Sequence, residues 1–222
     1  MAIRIDDLLF RWRAAAPPAV RLEHLAVAAG RSLFLHGPSG AGKSTLLNLI
    51  GGVLQPERGR IELLGQALGA LSAARRDAFR ADHLGFIFQQ FNLLPWLSAR
   101  DNVLLPCRFS RRRRQRADDP AAAAARLLAA LDLEPAATAA PAGELSVGQQ
   151  QRVAAARALI GRPEIIVADE PTSALDAARQ DAFIELLLGE ARAAGSALVF
   201  VSHDLRLARH FDDSLALAGG EA

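Results

Sequence analysis

The 222-residue chain is long enough for one domain of ordinary size, and its hydrophobic content of 51% is enough for a substantial core. A formal net charge of only +2 gives no support for a nucleic-acid-binding protein, so we expect no nucleic-acid partner. The single cysteine, Cys107, excludes an internal disulfide and suits a reducing compartment. The sequence contains neither an uninterrupted apolar run of about 18 residues nor the pattern of a signal peptide, so we expect a cytoplasmic protein.

Apolar patterning predicts an α/β fold in which short strands alternate with helices. Strands are predicted over Ile3–Phe10, Ser32–His36, Arg60–Leu63, Leu84–Phe88, Ile165–Ala168 and Ala197–Val201. Helices are predicted over Leu46–Ile50, Ser72–Ala81 and Ala121–Leu131, and a capping box at Ser98–Asp101 begins another. The last two strands are short, continuous apolar runs, which is typical of strands buried on both faces of a parallel sheet.

The middle of the chain is dominated by helix-forming residues. We interpret roughly residues 90–162 as a helical subdomain inserted in the α/β core. This segment contains a basic run, Arg111–Arg116. The run is expected to form a solvated face of the subdomain, and contact with anionic lipid headgroups is the less favoured alternative.

A glycine-rich segment follows the strand Ser32–His36. Gly37–Ser44 reads Gly-Pro-Ser-Gly-Ala-Gly-Lys-Ser, which matches the phosphate-binding pattern G-x-x-x-x-G-K-[ST] in full. The glycines allow backbone N–H groups to turn toward phosphates, and the start of the next helix favours negative charge. The ammonium of Lys43, the only lysine, is suited to the β- and γ-phosphates, and the hydroxyl of Ser44 is suited to Mg²⁺. The predicted nucleotide contacts in this segment are Gly37, Pro38, Ser39, Gly40, Ala41, Gly42, Lys43, Ser44 and Thr45.

Two carboxylates follow the apolar strand Ile165–Ala168. Carboxylates at the end of a buried strand are costly unless a cation is present. We expect Asp169 to hold Mg²⁺, directly or through water, and Glu170 to act as the general base that polarises the attacking water. An exposed acidic turn is the alternative, and the phosphate-binding loop elsewhere in the chain argues against it.

The segment Leu145–Arg152, Leu-Ser-Val-Gly-Gln-Gln-Gln-Arg, resembles the signature of ABC ATPases, which is usually Leu-Ser-Gly-Gly-Gln. Ser146 and Gln149 have the spacing of a helix capping box. The resemblance implies that Ser146, Gly148 and Gln149 face the γ-phosphate bound to a second subunit. It also implies a homodimer that encloses two nucleotides between phosphate-binding loop and signature. Val147 replaces the usual first glycine, and because its backbone N–H remains, we expect activity to be retained.

Other motifs of ABC ATPases follow in the order of that family. The resemblance implies that Gln89 contacts Mg²⁺ and the attacking water, that His203 is the switch histidine, and that Asp176 belongs to the D-loop. Trp12 resembles the aromatic residue that stacks on adenine, in place of a tyrosine, of which the chain has none. Packing in the core is the alternative for Phe10 and Trp12.

The resemblance covers essentially the whole chain, 1–222, and implies a P-loop NTPase core of RecA type with an antiparallel β-subdomain and the helical insertion. It implies an ATPase that uses ATP and Mg²⁺ and drives a separate transmembrane permease from the cytoplasmic face of the inner membrane. Gly85–Pro95, Asp101–Val103 and the triple Gln149–Gln151 resemble the LolD/MacB subgroup. Lipoprotein, lipid, peptide, drug and metal-linked cargo all remain open.

The apolar segment Phe91–Trp96 allows two interpretations. It either packs in the core of the helical subdomain or forms a docking groove for the permease, and its position after Gln89 favours docking. A soluble ABC ATPase of DNA repair or translation is the alternative to a transporter subunit. The short spacing from Gln89 to Ser146 and the single set of motifs argue against it. A P-loop kinase is a further alternative, but it would have no need of a signature helix.

Overall fold

A five-stranded parallel sheet and a four-stranded antiparallel sheet frame the computed structural model, which describes residues 1–173 and 175–217. The strands are β1 (Ile3–Phe10), β2 (Val20–Val27), β3 (Ser32–His36), β4 (Arg58–Leu63), β5 (Gln66–Ala67), β6 (Leu84–Ile87), β7 (Ile165–Asp169), β8 (Ala197–Val201) and β9 (Asp213–Ala216). The α-helices are α1 (Lys43–Ile50), α2 (Ala73–His83), α3 (Ala99–Phe109), α4 (Arg111–Arg116), α5 (Pro120–Ala130), α6 (Pro135–Thr138), α7 (Val147–Leu159) and α8 (Ala177–Ala194). Single 3₁₀ segments span Leu68–Ala70, Ala142–Glu144 and Leu205–His210.

The parallel sheet has the strand order β6-β7-β8-β3-β9. Every residue of β8 is buried, and so are the first four residues of β3 and β7, because the sheet is covered on both faces. The carboxyl ends of parallel strands meet at one edge of a sheet. The residues that follow β3, β6, β7 and β8 are therefore brought together there.

The antiparallel sheet has the order β2-β1-β4-β5. Along β1, buried and exposed residues largely alternate, but the register with β4 shifts between Asp6 and Leu9. Asp7 has a left-handed φ of 53° at this bulge. Gly59 lies opposite, where an added Cβ would come within 2.4 Å of the Asp7 carbonyl oxygen. The bulge therefore depends on close backbone approach.

Helices α3 to α7 lie between β6 and β7 in the sequence, and α3, α5, α6 and α7 share one apolar core with the parallel sheet. The longest of them, α7, packs against α3 and α5. Its carboxyl end meets β6 so closely that a Cβ on Gly85 would lie 2.2 Å from the carbonyl oxygen of Ala158. The amino end of α7, which carries Ser146, is held away from the sheet by the length of the helix.

One expectation for the basic run is wrong. Arg113 is only 3% exposed, and its guanidinium donates hydrogen bonds to the carbonyl oxygens of Leu84, Ala158 and Ile160. Burial lowers the pKa of Arg113 to about 10. The end of α7 leaves carbonyl groups without helical partners, and this buried cation satisfies them. Arg111 and Arg114 are exposed, as expected for a solvated face.

The ends of β1, β3 and β8 are confirmed as predicted, those of the other predicted strands and helices differ by a few residues, and several elements were not predicted. The unpredicted elements are β2, β5, β9, the short helices α4 and α6, the 3₁₀ segments and the 18-residue helix α8. Helix α8 has clear signals: Asp176 caps its amino end, and Gly195 ends it in a left-handed conformation. Its buried face is also apolar, with Phe183, Ile184 and Leu187 at helical spacing.

Candidate functional site

A cavity of about 550 Å³ opens at the carboxyl edge of the parallel sheet. It brings together most of the residues that the sequence selects for nucleotide chemistry. They are Trp12, Ser39, Gly40, Gly42, Lys43, Ser44, Thr45, Gln89, Asp169, Glu170 and His203, with Ala19 and Ser173 completing the wall.

The phosphate-binding loop depends on glycine for its shape. Gly42 caps α1 with a left-handed φ of 86°, and a Cβ there would lie 2.1 Å from the Ala19 carbonyl oxygen. A Cβ on Gly37 would lie 2.5 Å from the carbonyl oxygen of Leu217. These contacts exclude any side chain at either position. The loop therefore packs closely against Ala19, which precedes β2, and Leu217, which follows β9.

The ammonium of Lys43 lies within the loop. Its Nζ donates to the carbonyl oxygens of Gly37 at 2.9 Å and Pro38 at 3.0 Å. Gly37 and Pro38 do not line the cavity, but their carbonyl oxygens hold the ammonium of Lys43 in place. Ala41 is 2% exposed and packs into the core beneath the loop. The ammonium is thus held at the mouth of a loop whose helix start favours anions.

Asp169 ends β7 and points an unpaired oxygen into the protein. Its Oδ1 is buried, and no described residue donates a hydrogen bond to it. A buried carboxylate oxygen without a donor is costly, and a bound cation or water would satisfy it. The hydroxyl of Ser44 and the amide of Gln89 line the same cavity, so the oxygen donors fit a hard divalent cation.

Glu170 has an unusual backbone and a fixed side chain. Its φ is 47°, and its N–H donates to the Val201 carbonyl oxygen at 3.0 Å, which turns the chain at the edge of the sheet. Its Oε2 lies 2.9 Å from Nδ1 of His203, which lies two residues after the end of β8. The carboxylate is 15% exposed, whereas the imidazole is 71% exposed. A partly shielded carboxylate facing the phosphate loop is placed to accept a proton.

Phe10 and Trp12 have different environments. Phe10 is 8% exposed and belongs to the core, whereas Trp12 is 62% exposed on the wall of the cavity. Their rings meet edge to face, with centroids 5.1 Å apart. The core alternative is therefore correct for Phe10 and wrong for Trp12.

The signature residues line a different cavity. Ser146, Gly148 and Gln149 face a space of about 580 Å³ that contains none of the phosphate-loop residues. The predicted capping box is confirmed, because Ser146 Oγ accepts from the Gln149 N–H and Gln149 Oε1 accepts from the Ser146 N–H. Val147 is half exposed beside them. Asp176 lines neither cavity and caps α8.

A model of the ABC transporter family matches residues 22–173, which include the phosphate-binding loop, Gln89, the signature and the carboxylate strand. The chain belongs to the ABC transporter family.

Curated relatives of known sequence agree with this family assignment. The lipoprotein-releasing system ATP-binding protein LolD of Zymomonas mobilis subsp. mobilis is 43% identical over 196 residues, covering 88% of this chain and 83% of the relative. The uncharacterized ABC transporter ATP-binding protein YbbA of Escherichia coli K12 is 41% identical over 197 residues, covering 89% and 85%.

Solved structures of ABC transporter cassettes share the fold. The dimeric structure of MJ0796, a bacterial cassette, superposes with a TM-score of 0.86 at 34% identity over 99% of this chain and 96% of the other. A dimeric post-hydrolysis state of MJ0796 bound to ADP and Pi matches equally well at 33% identity. The predicted fold class, a P-loop NTPase core with the antiparallel and helical parts of an ABC cassette, is confirmed. This ABC transporter chain is an ATP-binding subunit that hydrolyses ATP and dimerises.

In this ABC transporter subunit, no helix within the described ranges has the length and apolarity to cross a bilayer. An apolar groove of about 450 Å³ lies between the parallel sheet and the helical part. Phe88, Asn92, Leu105, Pro106 and Phe109 contribute to its wall, and Phe109 is 79% exposed. The apolar residues of the segment Phe91–Trp96 do not line this groove, although Asn92 does. Phe91 is 8% exposed and packs in the core, as the core alternative predicts, whereas Trp96 is 72% exposed outside the groove.

Proposed function

We propose that the chain is one of two identical subunits that close on ATP and thereby move a separate transmembrane permease. The observation that carries the proposal is the separation of two half-sites on one chain. The phosphate loop and Glu170 line one cavity, and the amino end of α7, where a helix favours a bound anion, lines another. A second copy in head-to-tail orientation supplies the missing half to each nucleotide.

The residues of the first cavity have complementary roles. Lys43 and the backbone N–H groups of the loop bind the phosphates, and Trp12 stacks on adenine. When bound, Mg²⁺ offsets charge on the phosphates, and Ser44, Asp169 and Gln89 are its proposed holders. Glu170 accepts the proton of the attacking water through the carboxylate oxygen that His203 does not contact.

The signature half-site acts on the partner's nucleotide. Ser146 presents a hydroxyl, and Gly148 a backbone N–H, at the start of α7. The helix dipole adds a favourable field for an anion. Gln149 is the third member because its side chain holds the Ser146 N–H and fixes the turn. Asp176, at the start of α8, is proposed to face the dimer interface.

The whole chain, 1–222, is proposed to be one nucleotide-binding domain whose helical subdomain spans roughly residues 90–162. LolD is the ATP-binding protein of a lipoprotein-releasing system and YbbA that of an ABC transporter, which supports a transport role for this chain. The proposed partner is a transmembrane permease, and the proposed location is the cytoplasmic face of the inner membrane. The apolar groove is the proposed docking place of the permease, because Phe88 and Asn92 on its wall flank Gln89 and Gln90. The permease then sets the cargo, whether lipoprotein, lipid, peptide, drug or metal-linked compound. A soluble ABC ATPase is the alternative.

Sedimentation in the presence of ATP tests the two half-sites. The Glu170→Gln variant should bind ATP without turning it over and sediment as a dimer. Adding Ser146→Arg should give a monomer that still binds ATP, because the lesion lies outside the nucleotide cavity of its own chain. Ser72→Arg, at the exposed start of α2, is the matched control and should leave the dimer intact. If both Glu170→Gln proteins remain monomeric with ATP and with permease, the head-to-tail model fails.

A further inference from the structure

Arg157 connects the signature helix to the loop that carries Gln89. It lies in the last turn of α7, and its guanidinium donates to two backbone carbonyl oxygens, those of Phe91 and Asn92. The contact from Nη1 to the Asn92 oxygen is 2.6 Å. No carboxylate of the described residues forms an ion pair with Arg157. This cation is therefore bound by backbone oxygens.

Arg157 is held in a poorly solvated place. Burial lowers the pKa of its guanidinium to about 10, so it remains charged at neutral pH. Taking a cation out of water is costly unless its donors find good acceptors. The two carbonyl oxygens are such acceptors, and the planar fork of arginine is suited to reach both at once.

The two residues that Arg157 holds are the unusual ones of this loop. Phe91 has a φ of 58° and Asn92 a φ of 50°, both in the left-handed region that non-glycine residues rarely adopt. Such residues persist only where their surroundings fix them. Phe91 is fixed at its side chain by the core and at its carbonyl by Arg157. They follow Gln89 and Gln90 directly, so a change in their backbone conformation would shift the chain that carries Gln89 on the wall of the nucleotide cavity.

The far side of the same loop has a separate anchor. Asn102 on α3 is fully buried; its Oδ1 accepts from the Leu94 N–H, and its Nδ2 donates to the carbonyl oxygens of Leu94 and Leu97. Residues after 93 are therefore fixed by α3. The Gln89 side is fixed by α7, the helix whose first turn carries Ser146.

We propose that Arg157 is a positioning residue that locks the Gln89 loop to the signature helix. One 13-residue helix then carries the partner-facing signature at its start and the holder of Gln89 near its end. When α7 shifts on meeting the partner's nucleotide, the Gln89 loop shifts with it. Placement of Gln89 in one cavity is thereby tied to engagement of the other half-site. The inference rests on the proposed role of Gln89 in hydrolysis.

A double-mutant cycle separates positioning from general stability. Arg157→Met removes both donors at similar length, and Arg157→Lys keeps the charge but cannot bridge two carbonyls. Each is combined with Gln89→Ala. For each protein, kcat and KM for ATP hydrolysis, affinity for a fluorescent ATP analogue and Tm are measured. Arg126→Met is the matched control, since Arg126 pairs with Glu190 on the surface of α5, outside both cavities that we propose bind nucleotide.

If Arg157 acts through Gln89, its substitutions should lower kcat by about tenfold or more, because small misplacements near the reacting atoms are costly. Affinity for the ATP analogue should stay within about twofold, since the phosphate loop is untouched. In the Gln89→Ala background the same substitutions should change kcat by less than about twofold, as expected when two residues act as one unit. Arg126→Met should leave kcat unchanged.

Two results would overturn the inference in different ways. If Gln89→Ala lowers kcat and the Arg157 effect multiplies with it in full, Arg157 does not act through Gln89 and the role of Gln89 stands. If Gln89→Ala itself leaves kcat unchanged, both the role of Gln89 and this inference fail. Should Arg157→Met not fold, the Arg157→Lys cycle decides between the same outcomes, with unchanged kcat in Arg157→Lys counting against positioning.

Discussion

Nδ1 of His203 lies 2.9 Å from Oε2 of Glu170, across neighbouring strands of the parallel sheet. The contact uses one oxygen of a carboxylate that is itself fixed by a left-handed backbone at Glu170. Strained residues of this kind concentrate at functional sites, where the surrounding structure compensates for them. The other carboxylate oxygen of Glu170, to which no described residue donates a hydrogen bond, is therefore presented to the cavity in a defined direction.

Replacing Glu170 by Gln should abolish most turnover while ATP binding survives. The amide keeps the shape of the side chain but cannot accept the proton of the attacking water, so kcat should fall by about 10²-fold or more. Phosphate release at saturating ATP measures kcat, and equilibrium binding of an ATP analogue measures affinity. Glu185→Gln, an exposed acid on α8, is the control and should behave as wild type. Turnover near the wild-type rate in Glu170→Gln would refute the assignment of the base.

Trp12 should contribute to ATP affinity without contributing to chemistry. Trp12→Ala should weaken binding by on the order of 1 kcal/mol, roughly fivefold, which is the scale of one aromatic stack. Trp12→Phe should recover part of the loss. The chain has two tryptophans, so fluorescence titration is done with Trp96→Phe, which leaves Trp12 as the only reporter. If nucleotide does not change the fluorescence of Trp12, and if Trp12→Ala binds ATP as tightly as wild type, the ring does not contact adenine.

The nucleotide cavity could be predicted from sequence because most of its residues lie at or just after the carboxyl ends of strands. The phosphate-binding loop, Gln89, Asp169 and His203 each mark the end of a short apolar run, and parallel strands place their carboxyl ends together. The prediction therefore required no knowledge of which distant segments contact each other. The phosphate loop and the signature are also local patterns, and each implies its own helix start.

Contacts between distant segments could not be predicted in this way. Arg113 looks like any member of a basic run, yet it is buried because α4 packs over the end of α7. Arg157 likewise depends on a loop 65 residues earlier in the chain. The apolar groove is lined by residues of α2, α3, α7 and the parallel sheet, which are far apart in the sequence, so no local apolar segment could reveal it.

Glu164 should stabilise the fold in a pH-dependent manner. It directly precedes β7 and forms hydrogen bonds with Arg112, Arg116 and His83. Burial alone would raise the pKa of Glu164, but the hydrogen bonds from Arg112 and His83, with the charge of Arg116, hold it below its ordinary value of 4.5. A lowered folded-state pKa means that the stabilisation is present above the unfolded pKa and is lost as pH falls through the folded one.

The Glu164→Gln variant should therefore lose about 1 kcal/mol of unfolding free energy at pH 7, a value reduced for the partial exposure of its partners. The difference from wild type should shrink as pH falls below about 4.5, where the wild-type carboxylate also becomes protonated. Urea denaturation at a series of pH values measures it. Glu23→Gln, an exposed acid of β2, is the control. A difference that is independent of pH would mean that the charge of Glu164 is not what stabilises.

The apolar groove should couple ATP hydrolysis to the permease. Phe109 presents a largely exposed ring there, and Phe109→Asp places a charge where an apolar partner segment would bind. Trp96→Asp is the matched control, because Trp96 is 72% exposed and lies outside the groove. In reconstituted complexes, Phe109→Asp should lose permease binding or permease-dependent stimulation. ATP affinity and the basal ATPase rate of the free subunit should stay at wild-type values, since Phe109 lines neither of the cavities that we propose bind nucleotide. If Phe109→Asp supports full stimulation, or if Trp96→Asp loses it equally, the permease docks elsewhere on this chain.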